Sequence, residues 1–159
     1  MRSERLKKLL GSLAACFGAA AIGGWVTGPS VAGWYVTVRK PGFTPPNEVF
    51  APVWSVLYLL MALALYSIWH KRDEGLRGKR ALTFFALQLL MNVAWSVVFF
   101  GLHSIAGGLA VIVVLWLMIA LTIYLSWSVS RLAAACLVPY LAWVSFAAFL
   151  NYAIWRLNS

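Results

Sequence analysis

Trp54, Trp95 and Trp143 each recur at helical spacing with other aromatic or amide side chains, and this is the pattern in the 159-residue chain with most to offer chemically. Phe50, Trp54, Tyr58, Met61 and Leu65 share one helix face; Gln88, Asn92, Trp95 and Phe99 share another; Tyr140, Trp143, Ala147, Leu150, Asn151 and Ile154 share a third. An amide in hydrocarbon is costly without a partner, so the faces carrying Asn92 and Asn151 point inward. Such amides serve either as glue between helices or as polar contacts in a pocket, and the sequence leaves both readings open. Tryptophan normally sits at the water interface, so placing it within spans suggests an aromatic-lined cavity for a flat apolar ligand.

Other chemistries have little support. All four acids, Glu4, Glu48, Asp73 and Glu74, fall outside the apolar runs, which argues against an ion-coupled pump. His70 and His103 fall at opposite span ends and do not jointly ligate one haem. Cys16 and Cys136 show no metal-ligand spacing and read as small packing residues, so no metal site is expected. No serine stands in a recognisable nucleophile motif.

The elements that must position these residues are membrane spans. The chain is 63% hydrophobic and 11% charged, a composition that means transmembrane helices rather than a soluble core. Residues 1–159 read as a single domain, an all-α membrane protein with a five-transmembrane-helix bundle. The spans are expected near residues 6–27, 49–69, 81–102, 105–127 and 132–155. The basic start also resembles a signal peptide, but the long apolar run reads better as a first span. In that span Gly11, Ala15, Ala19 and Gly23 form a small-residue ridge suited to close helix contact. Residues 29–48, with Trp34, Tyr35, Arg39 and Lys40, are expected to form a long Pro/Gly-containing loop, with at most a short helix, acting as a lid.

The net charge of +9 sits in short segments flanking the spans, so it signals topology and not nucleic acid. Ten Lys and Arg residues lie on the side of the N-terminus and three on the other, which places the N-terminus inside and the first loop outside. Trp54 and Trp95 then lie about 10 Å from the outer ends of their spans, at 1.5 Å per residue. The expected cavity is in the outer half beneath the loop, with Arg39 and Lys40 at its mouth to meet acidic tails.

In order and spacing, Trp34-Tyr35, Lys40-Pro41, Pro45-Pro46, Pro52-Val53-Trp54, Leu57-Tyr58, Gln88, Asn92, Trp95-Ser96, Phe99-Phe100-Gly101, Pro139-Tyr140-Leu141-Ala142-Trp143, Phe146, Leu150-Asn151-Tyr152 and Trp155 resemble the translocator protein family. Its members are also called tryptophan-rich sensory proteins or peripheral benzodiazepine receptors. The resemblance runs from Trp34 to the C-terminus. It implies a homodimeric five-helix bundle in membrane lipid, bacterial rather than mitochondrial in type. It implies a pocket for porphyrins (protoporphyrin IX or haem, as ligand and not as a required cofactor), for isoquinoline and benzodiazepine drugs, and for sterols. Ligand contact is implied for Phe50, Trp54, Tyr58, Asn92, Trp95, Trp143, Phe146, Ala147, Leu150 and Asn151. Trp54 and Trp143 match the tryptophans linked to light-dependent porphyrin breakdown, which makes a porphyrin-degrading enzyme one alternative to a binding and regulatory protein; a porphyrin or sterol transporter is another. Leu150, Tyr152 and Arg156 overlie a sterol-contact motif. Gly107 and Gly108 stand where animal members carry a ligand-contacting Trp, so a large stacking surface is expected to be missing.

Overall fold

A computed structural model describes residues 2–71 and 75–159. Arg72, Asp73 and Glu74 of the charged connection lie outside the described residues. The elements are α1 (Arg2–Ala32), the short α2 (Trp34–Thr37), α3 (Asn47–His70), α4 (Leu76–Ser96), a π-helical continuation (Val97–Gly101), α5 (Ile105–Trp127) and α6 (Arg131–Asn158). Five of the helices are long and apolar enough to cross a membrane. The protein is therefore a multi-pass integral membrane bundle, in which most backbone groups of a span are satisfied within its own helix.

The long helices pack in the cyclic order α1–α3–α6–α5–α4 and back to α1. One end gathers the N-terminus, the C-terminus of α3 and the start of α6: Lys8 Nζ donates to the Trp69 carbonyl, and Ser67 and Ser130 hydroxyls lie 2.6 Å apart. The other end gathers α2, the α4–α5 turn and the C-terminus, and is called here the lid end. Local signals set the starts of the later helices. Ser104 and Ser130 each accept a hydrogen bond from the backbone N–H three residues on, capping α5 and α6. Pro52 and Pro139 lie inside α3 and α6 without ending them, as is tolerated where packed neighbours support the freed carbonyl.

One expectation needs correction: residues 29–48 are not one loop. α1 runs through Pro29 to Ala32, and α2 and the first residues of α3 take up more of the segment. Pro29 costs the last turn of α1 only one bond, and its own carbonyl accepts from Gly33 N at 3.1 Å. The small-residue ridge of α1 makes close contact with two neighbours. A Cβ on Gly11 would meet the Trp69 ring of α3 at 3.0 Å, whereas one on Gly23 would meet Ser96 of α4 at 3.3 Å. The helix carrying Trp95 ends in a π turn. Leu102 N bonds the Val97 carbonyl at 2.8 Å, five residues back, which is π geometry.

The main core of the bundle joins the aliphatic side chains of Met61, Ile68, Ile112, Leu115, Ile119 and Leu137 with buried Phe85 and Tyr140. A second cluster at the lid end holds Tyr35, Val38, Phe99, Leu150 and Ile154. The cavity lies between α1 and this aromatic end.

Candidate functional site

The cavity has a volume of about 460 Å³, within the range of roughly 300–1,000 Å³ usual for small-molecule sites. α3 supplies Phe50, Trp54 and Tyr58; α4 and its π continuation supply Asn92, Trp95, Ser96, Phe99 and Phe100; α6 supplies Ala147, Leu150, Asn151 and Ile154; Tyr35 of α2 lies over them. Among the described residues, no Lys, Arg, His, Asp or Glu is part of this lining.

Its floor is a hydrogen-bonded chain. The Tyr58 hydroxyl donates to Asn92 Oδ1 at 2.5 Å, and Asn92 Nδ2 donates to the Tyr140 hydroxyl at 2.9 Å. Three helices are joined there by one buried amide. Asn151 makes a second junction: its Oδ1 accepts from Trp95 Nε1 at 3.3 Å and its Nδ2 donates to the Ile105 carbonyl at 3.0 Å. The two readings left open for the amides therefore hold together, since each ties helices and also lines the cavity. Gln88, one turn below Asn92, is fully buried and bonds no protein group.

The aromatic wall is ordered by edge and face contacts. Trp54 lies tilted on Tyr58 at 5.7 Å and edge-on to Tyr140 at 6.2 Å. Trp95 stacks on Phe99 at 5.5 Å and meets Phe100 edge-on at 5.7 Å. Gly107 and Gly108 explain how the π segment fits. A Cβ on Gly108 would come within 2.7 Å of the Phe99 ring, and one on Gly107 within 2.9 Å of Val98. The space a side chain would take is occupied by Phe99 of the facing helix at Gly108, and by Val98 and Ser104 at Gly107.

Eight of the ten candidate ligand contacts, Phe50, Trp54, Tyr58, Asn92, Trp95, Ala147, Leu150 and Asn151, come together around the cavity. Trp143 and Phe146 do not line it. Trp143 stands behind Phe50, edge-on at 5.9 Å, and Phe146 packs on Trp143 at 5.6 Å. The two tryptophans named as candidate catalysts thus occupy different surroundings. The sterol-contact motif also divides: Leu150 is buried toward the cavity, while Tyr152 and Arg156 are exposed.

The lid residues behave differently from expectation. Tyr35 is buried, and Trp34 stacks on His103 at 4.6 Å. Lys40 does not project as a free cation. Its Nζ donates to the Tyr35 and Val38 carbonyls and sits 4.6 Å from the Tyr35 ring, because α2 ends there and its last carbonyls need donors. Arg39 is held through its backbone, with its N–H donating to Asn158 Oδ1 and its carbonyl accepting from Asn158 Nδ2. Neither cation is part of the cavity wall. Sequence reasoning missed the whole contribution of α1: Phe17, Ala20, Gly23, Gly24, Thr27, Gly28 and Val31 form the fourth side. The glycines at 24 and 28 were the available signal.

Comparison with known proteins agrees with this arrangement. The sequence model of the TspO/MBR family matches residues 12–156. The Tryptophan-rich protein TspO of Chlorobaculum tepidum is 40% identical over 161 residues, covering 96% of this chain and 99% of its own. Protein CrtK of Rhodobacter capsulatus is 42% identical over 125 residues, 79% of this chain and 78% of its own. The Translocator protein of Sus scrofa is 38% identical over 145 residues, 87% and 85% of the two chains. With a family match over nearly its whole length and relatives of this closeness from bacteria to mammals, the chain belongs to the TspO/MBR family.

Proposed function

We propose that the protein binds porphyrins and related flat apolar molecules in the cavity beneath α2, as a binding and regulatory protein of the membrane. Membership of the TspO/MBR family supports a membrane role in binding or transporting tetrapyrrole- or sterol-related molecules. The observation that carries the finer reading is the lining: stacked aromatic faces, the amides of Asn47, Asn92 and Asn151, and no charged group among the described residues. Such a wall favours extended ring systems, with Asn92 and Asn151 available to polar substituents. Acid tails on the ring belong at the lid end, where the Arg39 side chain is exposed.

Titration of the protein in lipid vesicles with protoporphyrin IX in the dark tests this, read by quenching of tryptophan fluorescence. Trp54→Ala should weaken binding by about 1–3 kcal/mol, the scale of losing a buried aromatic contact. Unchanged affinity in a folded Trp54→Ala protein refutes the placement.

An enzymatic alternative has one observation in its favour. Trp54, a readily oxidised indole, stands in the wall itself, so a bound porphyrin excited by light would meet a redox-active side chain there, with dissolved dioxygen as the oxidant that ring opening requires. That reading is tested by product analysis under illumination.

A further inference from the structure

α1 and α3 touch at the basic end and separate toward the lid end. At the bottom, Gly11 packs under the Trp69 ring. Thirteen residues higher on α1, about 20 Å at 1.5 Å per residue, Gly24 has open space where a side chain would begin, and so does Gly28 one turn further on. The facing edge of α3 carries Ala51 and Ser55, both exposed and both part of the cavity lining, as the two glycines are. Ser55 Oγ donates to the Ala51 carbonyl of its own helix, so its hydroxyl is already satisfied in an apolar setting. A slot edged by Gly24, Gly28, Ala51 and Ser55, with Phe17 below it on α1 and Asn47 above it on α3, therefore joins the cavity to the flank of the bundle, at a height inside the roughly 30 Å hydrocarbon layer.

The route through the lid is the better closed of the two. Trp34 is stacked on His103 of the α4–α5 turn, the Arg39 backbone is paired twice with Asn158 of α6, and Lys40 ties α2 to the following strand of chain. We propose that the α1–α3 slot is a lateral portal, through which flat, uncharged aromatic ring systems dissolved in the lid-side leaflet exchange with the cavity while the lid stays shut. The ligand class rests on the function proposed above; the path itself does not, because the slot, its small-residue edges and the fastened lid are independent of what finally binds.

The test uses a reporter that needs no natural ligand. Ala147→Cys, on the α6 wall of the cavity, is placed in a Cys16→Ala, Cys136→Ala protein in lipid vesicles. Its labelling by N-phenylmaleimide, a flat apolar reagent that partitions into lipid, is timed beside labelling by a membrane-impermeant sulfonated maleimide. Filling the slot with Gly24→Phe and Gly28→Phe should slow the phenyl reagent by about tenfold or more, as when access comes to need a conformational change. Ala51→Phe, filling from the opposite edge, is the second variant should the first fail to fold, with circular dichroism and melting as the control. Loosening the lid with Lys40→Ala and Asn158→Ala should leave the phenyl rate within about twofold of the parent. Labelling of slot-filled protein at the parent rate, or acceleration of the phenyl reagent by the lid changes, overturns the portal. The same variants are then mixed with the dimethyl ester of protoporphyrin IX, a flat ring system with its acids masked: a blocked path slows association and dissociation together. If the ester binds none of the proteins while the maleimide contrast holds, the ligand reading fails and the portal stands.

Discussion

Replacing Asn92 by Leu removes one side chain but strands two. Asn92 is 2% exposed, Tyr58 6% and Tyr140 0%, so neither hydroxyl can turn to solvent when the amide is gone. In a soluble core each orphaned group would cost about 1–3 kcal/mol. Hydrogen bonds between membrane helices measure lower, averaging about 0.6 kcal/mol with a maximum near 1.7, because the unfolded chain in lipid also finds partners. Two such bonds place the expected loss for Asn92→Leu at about 1–3 kcal/mol. The decisive comparison is the triple variant Asn92→Leu, Tyr58→Phe, Tyr140→Phe. It removes both stranded hydroxyls and should regain about half or more of the lost stability, since replacing every partner by apolar groups is nearly neutral. Reversible unfolding from mixed micelles by increasing sodium dodecyl sulfate measures both. A triple variant no more stable than Asn92→Leu would show that the floor is held by packing alone, and the hydrogen-bond argument would be wrong.

The two kinds of glycine should part company on substitution. Gly28→Ala should stabilise by up to about 1 kcal/mol from helix propensity, whereas Gly108→Ala, pressed against Phe99, should lose about 1–3 kcal/mol to overpacking before that gain is subtracted; thermal unfolding that ranks Gly108→Ala level with Gly28→Ala contradicts the packing described. If the protein degrades porphyrin in light, Trp54→Phe should abolish the protein-dependent product while keeping most affinity, and Trp143→Phe, behind Phe50, should act more weakly; equal product from the double variant removes both tryptophans from the chemistry. Tag-accessibility mapping should find the N-terminus on the cytoplasmic side and the C-terminus opposite, and both termini on one side would reverse the charge-bias argument. Cross-linking in native lipid should give a homodimer, and a sole monomer by mass measurement would count against it.

The parts of the site that were legible in sequence are those where bulky or polar side chains repeat at helical spacing. Phe50, Trp54 and Tyr58 on α3, and Ala147, Leu150 and Asn151 on α6, advertise one face each, and that face is the cavity wall. The α1 wall is not legible because Gly24 and Gly28 at its middle leave room and no pattern, and Phe17, Thr27 and Val31 around them form no aromatic or amide stripe. Trp143 was misplaced because it shares a stripe with Ala147 yet lies a turn lower, where Phe50 comes between it and the cavity. The sequence suggests Lys40 at the cavity mouth for acidic tails, whereas its partners are carbonyls that become available only where α2 stops. The five spans themselves follow from hydropathy and were placed within a few residues, except that α1 continues through Pro29.

The π-helical turn at Val97–Gly101 amounts to one surplus residue absorbed without a loop. Within it each residue turns by less than the roughly 100° of an α-helix of 3.6 residues per turn, and adjacent Phe99 and Phe100 both line the cavity. A family alignment will show such a turn as an awkward one-residue gap in an otherwise unbroken span. In a homologue lacking that residue, the helix would keep its length in the bilayer to within one step and still turn a different side chain inward. Selectivity could then diverge between relatives through a change of phase in one helix, with every cavity residue of the other three walls left untouched.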